Sequence, residues 1–103
     1  MEFRDIVYEI CSRIPKGKVS TYKEIAKAAR NTKAYRAVGR ALKNNPYAPA
    51  VPCHRVVKSD GNIGGYFGDN PKNIRAKIKI LKSEGVKIKN NKIVDFDDKL
   101  FRF

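Results

Sequence analysis

Residues 21–43, TYKEIAKAARNTKAYRAVGRALK, decide the predicted fold. Thr21 and Glu24 have the spacing of a capping box, which predicts a helix that starts after Thr21 and runs to about residue 29. Asn31 or Thr32 can cap a next helix that runs to about residue 43, with small apolar residues on its inward face. Two short helices joined by a break of a few residues are typical of a helix-turn-helix.

The flanking segments predict a few more elements around this pair. Residues 3–14 place apolar side chains at helical spacing, which indicates a first amphipathic helix. Residues 54–57 can form a short strand, residues 70–85 start with Asn-Pro and end with Gly as a helix does, and residues 86–94 predict a hairpin. We therefore expect one domain over residues 1–103, of the α+β class and mainly helical, with a winged-helix-like helix-turn-helix and short strands.

The charge of the chain is strongly positive and unevenly distributed. Its 103 residues contain 23 Lys and Arg against 10 Asp and Glu, a net charge of +13. Residues 25–59 hold basic residues and no acid, and residues 71–92 hold a single acid, Glu84, among basic residues. This pattern predicts a polyanionic partner, with a merely solvated basic surface as the alternative.

The sequence also bounds the location of the protein. It has no apolar run near the roughly 20 residues of a membrane span, and its start does not resemble a secretory signal or transit peptide. Two cysteines, Cys11 and Cys53, are too few for a disulfide framework. We therefore expect a cytoplasmic protein that does not enter a membrane.

Cys53 is the chemical outlier, because it lies between Pro52 and the chain's only histidine, His54. A zinc site would need about four ligands, and Cys11, Cys53 and His54 supply three, so we expect no metal. A structural cysteine and a thiolate nucleophile both remain open for Cys53. Cys11 lies on an apolar helix face, which predicts a buried hydrophobe. If residues 53 and 54 were in a strand they would face opposite sides, so a turn or a bridging water would have to connect them.

Several motifs at consistent spacing resemble one family. They are RAVG at 36–39, NNP at 44–46, VPCHRV at 51–56, GGY at 64–66 and LKSEG at 81–85. Together they resemble the O6-alkylguanine-DNA alkyltransferases, also called methylated-DNA-protein-cysteine methyltransferases. The resemblance covers the chain from about Phe3 to Gly85.

The resemblance implies a single-turnover DNA repair reaction without a cofactor. In it Cys53 takes the alkyl group irreversibly from O6 of a flipped guanine, and His54 deprotonates the thiol through a water. Glu84 orients the histidine, Tyr22 donates a proton to the leaving guanine, and Asn45 joins the helix-turn-helix to the active-site loop. Flipping is required because guanine O6 lies inside the duplex.

The resemblance also implies that the second helix of the pair binds the minor groove of double-stranded DNA containing O6-alkylguanine. Arg36 corresponds to the finger that enters the duplex, and we expect a monomer. The expected DNA-contacting residues are Thr21, Ala34, Tyr35, Arg36, Ala37, Gly39 and Arg40. The expected substrate pocket comprises Tyr22, Val56, Tyr66 and Phe67.

The sequence departs from the family in two respects. The N-terminal domain of most members has no counterpart in these residues, and Phe67 stands where many relatives have a small residue, which affects the pocket size. Alkyltransferase-like proteins, which carry tryptophan at the cysteine position, bind lesions without repairing them. A lesion-binding protein of that type, or a basic helix-turn-helix DNA-binding protein with a structural cysteine, are the alternative functions.

Overall fold

Residues 2–103, which the computed structural model describes, form five α-helices and two small two-stranded sheets. The helices are α1 (Phe3–Cys11), α2 (Tyr22–Ala28), α3 (Tyr35–Lys43), α4 (Pro71–Ser83) and α5 (Phe96–Lys99). The strands are β1 (Ser20–Thr21), β2 (Val56–Val57), β3 (Ile88–Lys89) and β4 (Lys92–Ile93). The expected fold class, mainly helical with short strands, is confirmed.

Helices α2 and α3 form the predicted helix-turn-helix, with one correction. The Thr21 hydroxyl accepts a hydrogen bond from the Glu24 amide at 3.0 Å and caps α2 as predicted. Helix α3, however, begins only at Tyr35, and its N-cap side chain makes no capping bond. The expected caps, Asn31 and Thr32, belong instead to the turn between the helices.

The reason for this late start is the way α2 ends. Arg30 adopts a left-handed conformation with φ of 60°, and the amide of Asn31 donates back to the carbonyl of Ala26 at 3.0 Å. This is the bonding of a Schellman C-cap. Asn31 therefore closes the preceding helix and cannot also start the next one.

The parallel pair β1–β2 brings two distant segments together. Ser20 pairs with Val56 and Thr21 with Val57, so the start of α2 lies next to the segment that follows Cys53. The expected strand at 54–57 is confirmed only for Val56–Val57, because residues 53–55 form a 3₁₀ turn in which the Arg55 amide donates to the Pro52 carbonyl at 2.9 Å. That turn removes the alternation that a strand would impose on residues 53 and 54.

The C-terminal third follows the predicted pattern up to the hairpin. Asn70 caps α4 through its side chain, and Pro71 occupies the first turn. Asn90 and Asn91 have φ of 52° and 59°, as a two-residue type I′ turn requires. The sequence did not predict α5 or the last residues, where the Phe101 amide donates to the Val19 carbonyl at 2.7 Å.

Two apolar clusters hold the fold together. One lies between α1, α2 and α3 and includes Cys11, Cys53 and Val56; the other packs α4 against Val19, Val57 and the hairpin. Cys11 is fully buried in the first cluster, so its prediction as a buried hydrophobe is confirmed. Among residues 2–103 no helix has both the length and the apolar content needed to cross a membrane.

Candidate active site

Cys53 lines a pocket of about 190 Å³. Cys53 is the first residue of the 3₁₀ turn that follows the proline-rich loop, and it is 6% exposed. The first turn of α2, the end of α3 and the loop before α4 form the other walls. The lining residues are Tyr22, Gly39, Leu42, Lys43, Cys53, Gly65, Tyr66, Phe67, Gly68 and Asp69.

His54, the residue after Cys53, belongs to a hydrogen-bonded cluster with Glu84 and Arg55. His54, 2% exposed, places Nε2 at 3.1 Å from both carboxylate oxygens of Glu84, which is the C-cap residue of α4. Arg55 donates to the same carboxylate from Nε at 3.0 Å and from Nη2 at 2.7 Å, and its Nη1 donates to the Ile14 carbonyl at 2.8 Å. The structure thus brings together His54 and Glu84, which sequence reasoning paired, and adds Arg55.

The carboxylate fixes the protonation pattern of the imidazole. Hydrogen bonds from Arg55 hold the pKa of Glu84 below its usual range, so the carboxyl is ionised at neutral pH. Burial lowers the pKa of His54 despite the opposing effect of Glu84, so the ring is neutral. Because an ionised carboxylate only accepts, Nε2 carries the proton and Nδ1 holds a free lone pair. Within residues 2–103, Nδ1 is buried and has no hydrogen-bond partner.

The environment of the thiol both opposes and assists its ionisation. Burial raises the pKa of Cys53 above its usual value, so little thiolate exists at neutral pH without help. The side-chain amide of Asn45 and the positive charge of Lys77 act in the opposite direction. This thiol therefore needs a base, and the free Nδ1 of the adjacent His54 is a neutral base with the appropriate lone pair.

Lys77 is a completely buried cation on α4 that sequence reasoning missed. Its Nζ donates to three backbone carbonyls, those of Val56 at 2.7 Å, Gly65 at 2.9 Å and Ile63. Burial lowers the pKa of Lys77 to about 7, while the Cys53 charge acts to raise it. Three acceptors need three N–H donors, which the ammonium has and the neutral amine lacks, so we assign the charged form.

Tyr22, the first residue of α2, lines the pocket. Burial raises the pKa of its phenol to about 12, so the hydroxyl stays protonated and able to donate at neutral pH. A Cβ atom at Gly64 would lie 3.5 Å from the Tyr22 hydroxyl oxygen, and one at Gly39 would lie 4.0 Å from the ring. Glycines at these two positions keep the space around the phenol open.

Tyr66 and Phe67, in the loop 64–69, line the pocket. Their ring centroids are 4.5 Å apart, and Phe67 adopts a left-handed φ of 51° while remaining 37% exposed. The loop is tightly folded, since a Cβ at Gly65 would lie 2.6 Å from the Gly68 carbonyl oxygen. Val56, also expected in the pocket, lies in the core behind it with no exposed surface.

Asn45 braces the loop that carries the thiol. Its Nδ2 donates to the Val51 carbonyl at 2.9 Å, and its Oδ1 accepts from the Tyr47 amide at 2.9 Å. The residue is 5% exposed and directly follows the C-cap of α3. It therefore links the end of the helix-turn-helix to the residue two positions before Cys53, which makes it a positioning residue.

The expected DNA-contacting residues do not all lie on one surface. Tyr35 and Arg36 are exposed at the start of α3, immediately after the half-buried Ala34. Ala37 and Arg40 border a separate groove between α3 and α1, and Gly39 faces the Cys53 pocket. Thr21 is 3% exposed and its hydroxyl caps α2, so its side chain stabilises a helix start instead of lying on an exposed surface.

The basic residues of the helix-turn-helix are available to an anion. In residues 2–103 the ion pairs involve Arg4, Arg13, His54, Arg55 and Arg102, and none involves a basic residue of the segment 25–43. Within the same described part of the chain, no group of three or more His, Cys, Asp or Glu side chains is arranged to hold a metal ion.

Four charged residues of the site escaped sequence reasoning, namely Lys43, Arg55, Asp69 and Lys77. Lys77 carried a usable signal: it is three residues after Ile74 and four before Leu81, on the face of α4 that the apolar pattern buries. A lysine at such a position has to be neutralised by buried acceptors. Lys43 and Asp69 carried no such signal, because only the folded loop brings them to the pocket.

Comparison with known proteins gives consistent results. The family model for the 6-O-methylguanine DNA methyltransferase, DNA binding domain, matches residues 2–86. A methylated-DNA--protein-cysteine methyltransferase of Methanothermobacter thermautotrophicus is 40% identical over 87 residues, which are 84% of this chain and 46% of that protein. The chain thus spans about half the length of the curated relatives it matches first.

Solved structures are similar over different lengths. The structure of Mycobacterium tuberculosis OGT in complex with DNA matches with a TM-score of 0.75 and 38% identity, over 82% of this chain and 49% of that one. S. pombe Atl1 in complex with damaged DNA containing O6-carboxymethylguanine matches with a TM-score of 0.84 and 30% identity over 100% of both chains.

Proposed function

This chain belongs to the 6-O-methylguanine DNA methyltransferase family, and from that premise we propose that it is a DNA repair protein that transfers the alkyl group of O6-alkylguanine in duplex DNA to its own Cys53. The observation that carries the proposal is that Cys53 lines a pocket open to a ligand and is followed directly by a buried His54 that is hydrogen-bonded to Glu84. A structural cysteine would need neither the pocket nor the base.

The proposed step is a displacement at the alkyl carbon. A bond forms between Sγ of Cys53 and that carbon, and the bond from the carbon to guanine O6 breaks, its electron pair going to the guanine. The thiol proton passes through a water to Nδ1 of His54. Glu84, which Arg55 holds in place, orients the resulting imidazolium and compensates its charge. The thioether that forms on Cys53 is not reopened, so each molecule reacts once.

Tyr22 is proposed as the proton donor to the departing guanine. Its raised pKa, about 12, keeps the phenol protonated until negative charge develops on the base. The phenolate and imidazolium that remain then exchange a proton through solvent, which returns Tyr22 and His54 to their neutral forms. The net reaction consumes one alkylated guanine and one thiol, and gives guanine and an S-alkylcysteine.

DNA enters the proposal through the helix-turn-helix. We propose that α3 lies in the minor groove and that Arg36 fills the space of the extruded nucleotide, so that guanine reaches the pocket. Exposed, unpaired basic residues at 25–43 and the DNA complexes of the similar proteins support this. We further propose that the protein acts as a monomer in a reducing compartment, the cytoplasm, where Cys53 stays a free thiol.

The test is the mass of the intact protein after incubation with a duplex containing a single O6-methylguanine. We expect every molecule to gain one methyl group in place of a proton, up to one equivalent of DNA. Cys53→Ala should gain nothing, while Cys11→Ala should react like the wild type. Unchanged mass of a folded, DNA-bound wild-type protein would refute transfer.

A lesion-binding function without transfer is the second candidate, because the chain matches Atl1 over the whole length of both. It predicts tighter binding of the O6-methylguanine duplex than of undamaged DNA together with unchanged protein mass. A plain helix-turn-helix DNA-binding protein predicts neither the preference nor the mass gain. The same incubation, with an affinity measurement beside it, separates the three.

A further inference from the structure

A second recess lies beside the Cys53 pocket. Its volume is about 320 Å³ and its surface is mostly apolar. Three segments form it: the first turn of α2, the first half of α3 and the residues after β2. The lining residues are Tyr22, Lys23, Tyr35, Gly39, Lys58 and Ser59.

The recess shares part of its wall with the reactive pocket. Tyr22 and Gly39 line both cavities, so the two adjoin at these residues. A nucleotide whose base occupied the reactive pocket would therefore have its covalent neighbour in the strand within reach of the recess.

Tyr35 gives the recess an aromatic platform. The residue is 38% exposed, with Nζ of Lys23 at 5.7 Å and Cζ of Arg36 at 6.0 Å from its ring centroid. Lys58, also exposed, lies on the opposite segment of the rim. Lys23 and Arg36 both lie over the ring, so a base that stacks on that face takes the place of a flexible cationic side chain. Proteins hold single-stranded nucleic acid with such a combination, the base stacked on the ring and the phosphate near the charge.

We propose that this recess binds the nucleobase that directly follows or precedes the extruded guanine in the same strand, stacked on Tyr35, with Lys23 and Lys58 neutralising its phosphates. The inference rests on the proposed function, because it takes the guanine to be in the Cys53 pocket. It gives Tyr35 a role different from that of Arg36, since a same-strand contact does not depend on the opposite strand.

The experiment compares Tyr35→Ala, Tyr35→Phe and Arg36→Ala on three substrates. These are an O6-methylguanine duplex, the single-stranded oligonucleotide of the same sequence, and free O6-benzylguanine. Loss of one stacked base should slow the reaction of Tyr35→Ala with both oligonucleotides about 5- to 150-fold. Its reaction rate with free O6-benzylguanine should stay that of the wild type. Tyr35→Phe should react like the wild type, and Arg36→Ala should be slow on the duplex alone.

A second arm locates the contacted base. Single-stranded substrates with an abasic residue on one or the other side of the O6-methylguanine should slow the wild-type protein for one side only. For that side Tyr35→Ala should show no further loss, since the ring and the base are partners in one interaction. Loss of Tyr35→Ala activity on the duplex alone, or equal sensitivity to both abasic positions, would overturn the inference.

Failure of the proposed function is read separately. If none of the three substrates alkylates the wild-type protein, the transfer proposal falls. The recess is still tested by the affinity of the protein for the same single-stranded oligonucleotides. Equal affinities of wild-type protein and Tyr35→Ala for the intact oligonucleotide would then overturn the recess as well, and a weaker Tyr35→Ala would support it.

Discussion

Replacing Glu84 by glutamine should impair both the stability and the reactivity of the protein. The carboxylate accepts from Nε and Nη2 of Arg55 and from Nε2 of His54. Glutamine offers one carbonyl oxygen and one NH₂ group to these three donors, so at least one N–H group of the site faces another donor. The side chains of Glu84 and Arg55 are 10% and 16% exposed, so solvent satisfies few of these groups.

The magnitude follows from this burial. Breaking a buried ion pair typically costs about 3–5 kcal/mol, and partial exposure of this pair lowers our figure to about 2–4 kcal/mol of unfolding free energy. The NH₂ group of glutamine also favours donation to Nε2 of His54, which moves the ring proton to Nδ1. That tautomer is not a base toward Cys53, so the alkylation rate should fall by about 10² to 10⁴.

The assay is the rate of S-alkylation of Cys53 by O6-benzylguanine, followed by intact mass, together with urea unfolding of the same samples. Glu9→Gln is the matched control, because Glu9 forms an exposed ion pair with Arg13 and its side chain is 61% exposed. The control should lose less than about 1 kcal/mol and keep its rate. A folded Glu84→Gln protein that reacts within about threefold of the wild type would refute the proposed relay.

Three further outcomes follow from the site. Lys77→Met should raise the pKa of the Cys53 thiol, because a buried positive charge is removed. It should also lower the unfolding free energy by about 1–3 kcal/mol. Thiol titration and urea unfolding measure both effects, with Lys79→Met, which changes an exposed lysine of the same helix, as the control. Tyr22→Phe should fold and bind lesion DNA normally but transfer about 10²-fold more slowly, and equal single-turnover rates would contradict its role. The transfer rate should fall as the pH drops through the pKa of His54, which burial places below its usual 6.5. It should increase as the pH rises toward the raised pKa of Cys53. A rate that stays constant from pH 7 down to the pH at which the protein unfolds would contradict base catalysis.

Much of the fold was predictable because it depends on local chemistry. The Thr21 cap, the Asn70-Pro71 helix start and the Asn90–Asn91 turn each need only a few neighbouring residues to act. The start of α3 was not predictable in this way, since Asn31 could cap α3 or close α2 and the left-handed Arg30 decides between them. Helix α5 depends on the last residues returning along Val19, which is a long-range contact without a local pattern.

The site residues also differ in how far local sequence could predict them. Cys53, His54 and Glu84 were identifiable from motifs, because each is chemically unusual in its segment. Residues that act through tertiary contacts were not, and Arg55 and Lys77 are the clearest cases. Sequence analysis included Arg55 only as part of the VPCHRV motif and gave it no role. In the structure its guanidinium holds the carboxylate that orients the histidine.

Site-resolved mapping of the alkyl group tests the central claim most directly, because the protein contains two free, buried thiols. The protein is incubated with one equivalent of duplex containing O6-methylguanine, digested, and the methylated cysteine identified. The account predicts stoichiometric methylation of Cys53, none of Cys11, and no reaction with a second portion of DNA. Absence of methyl from Cys53, or its appearance on both cysteines, would contradict it.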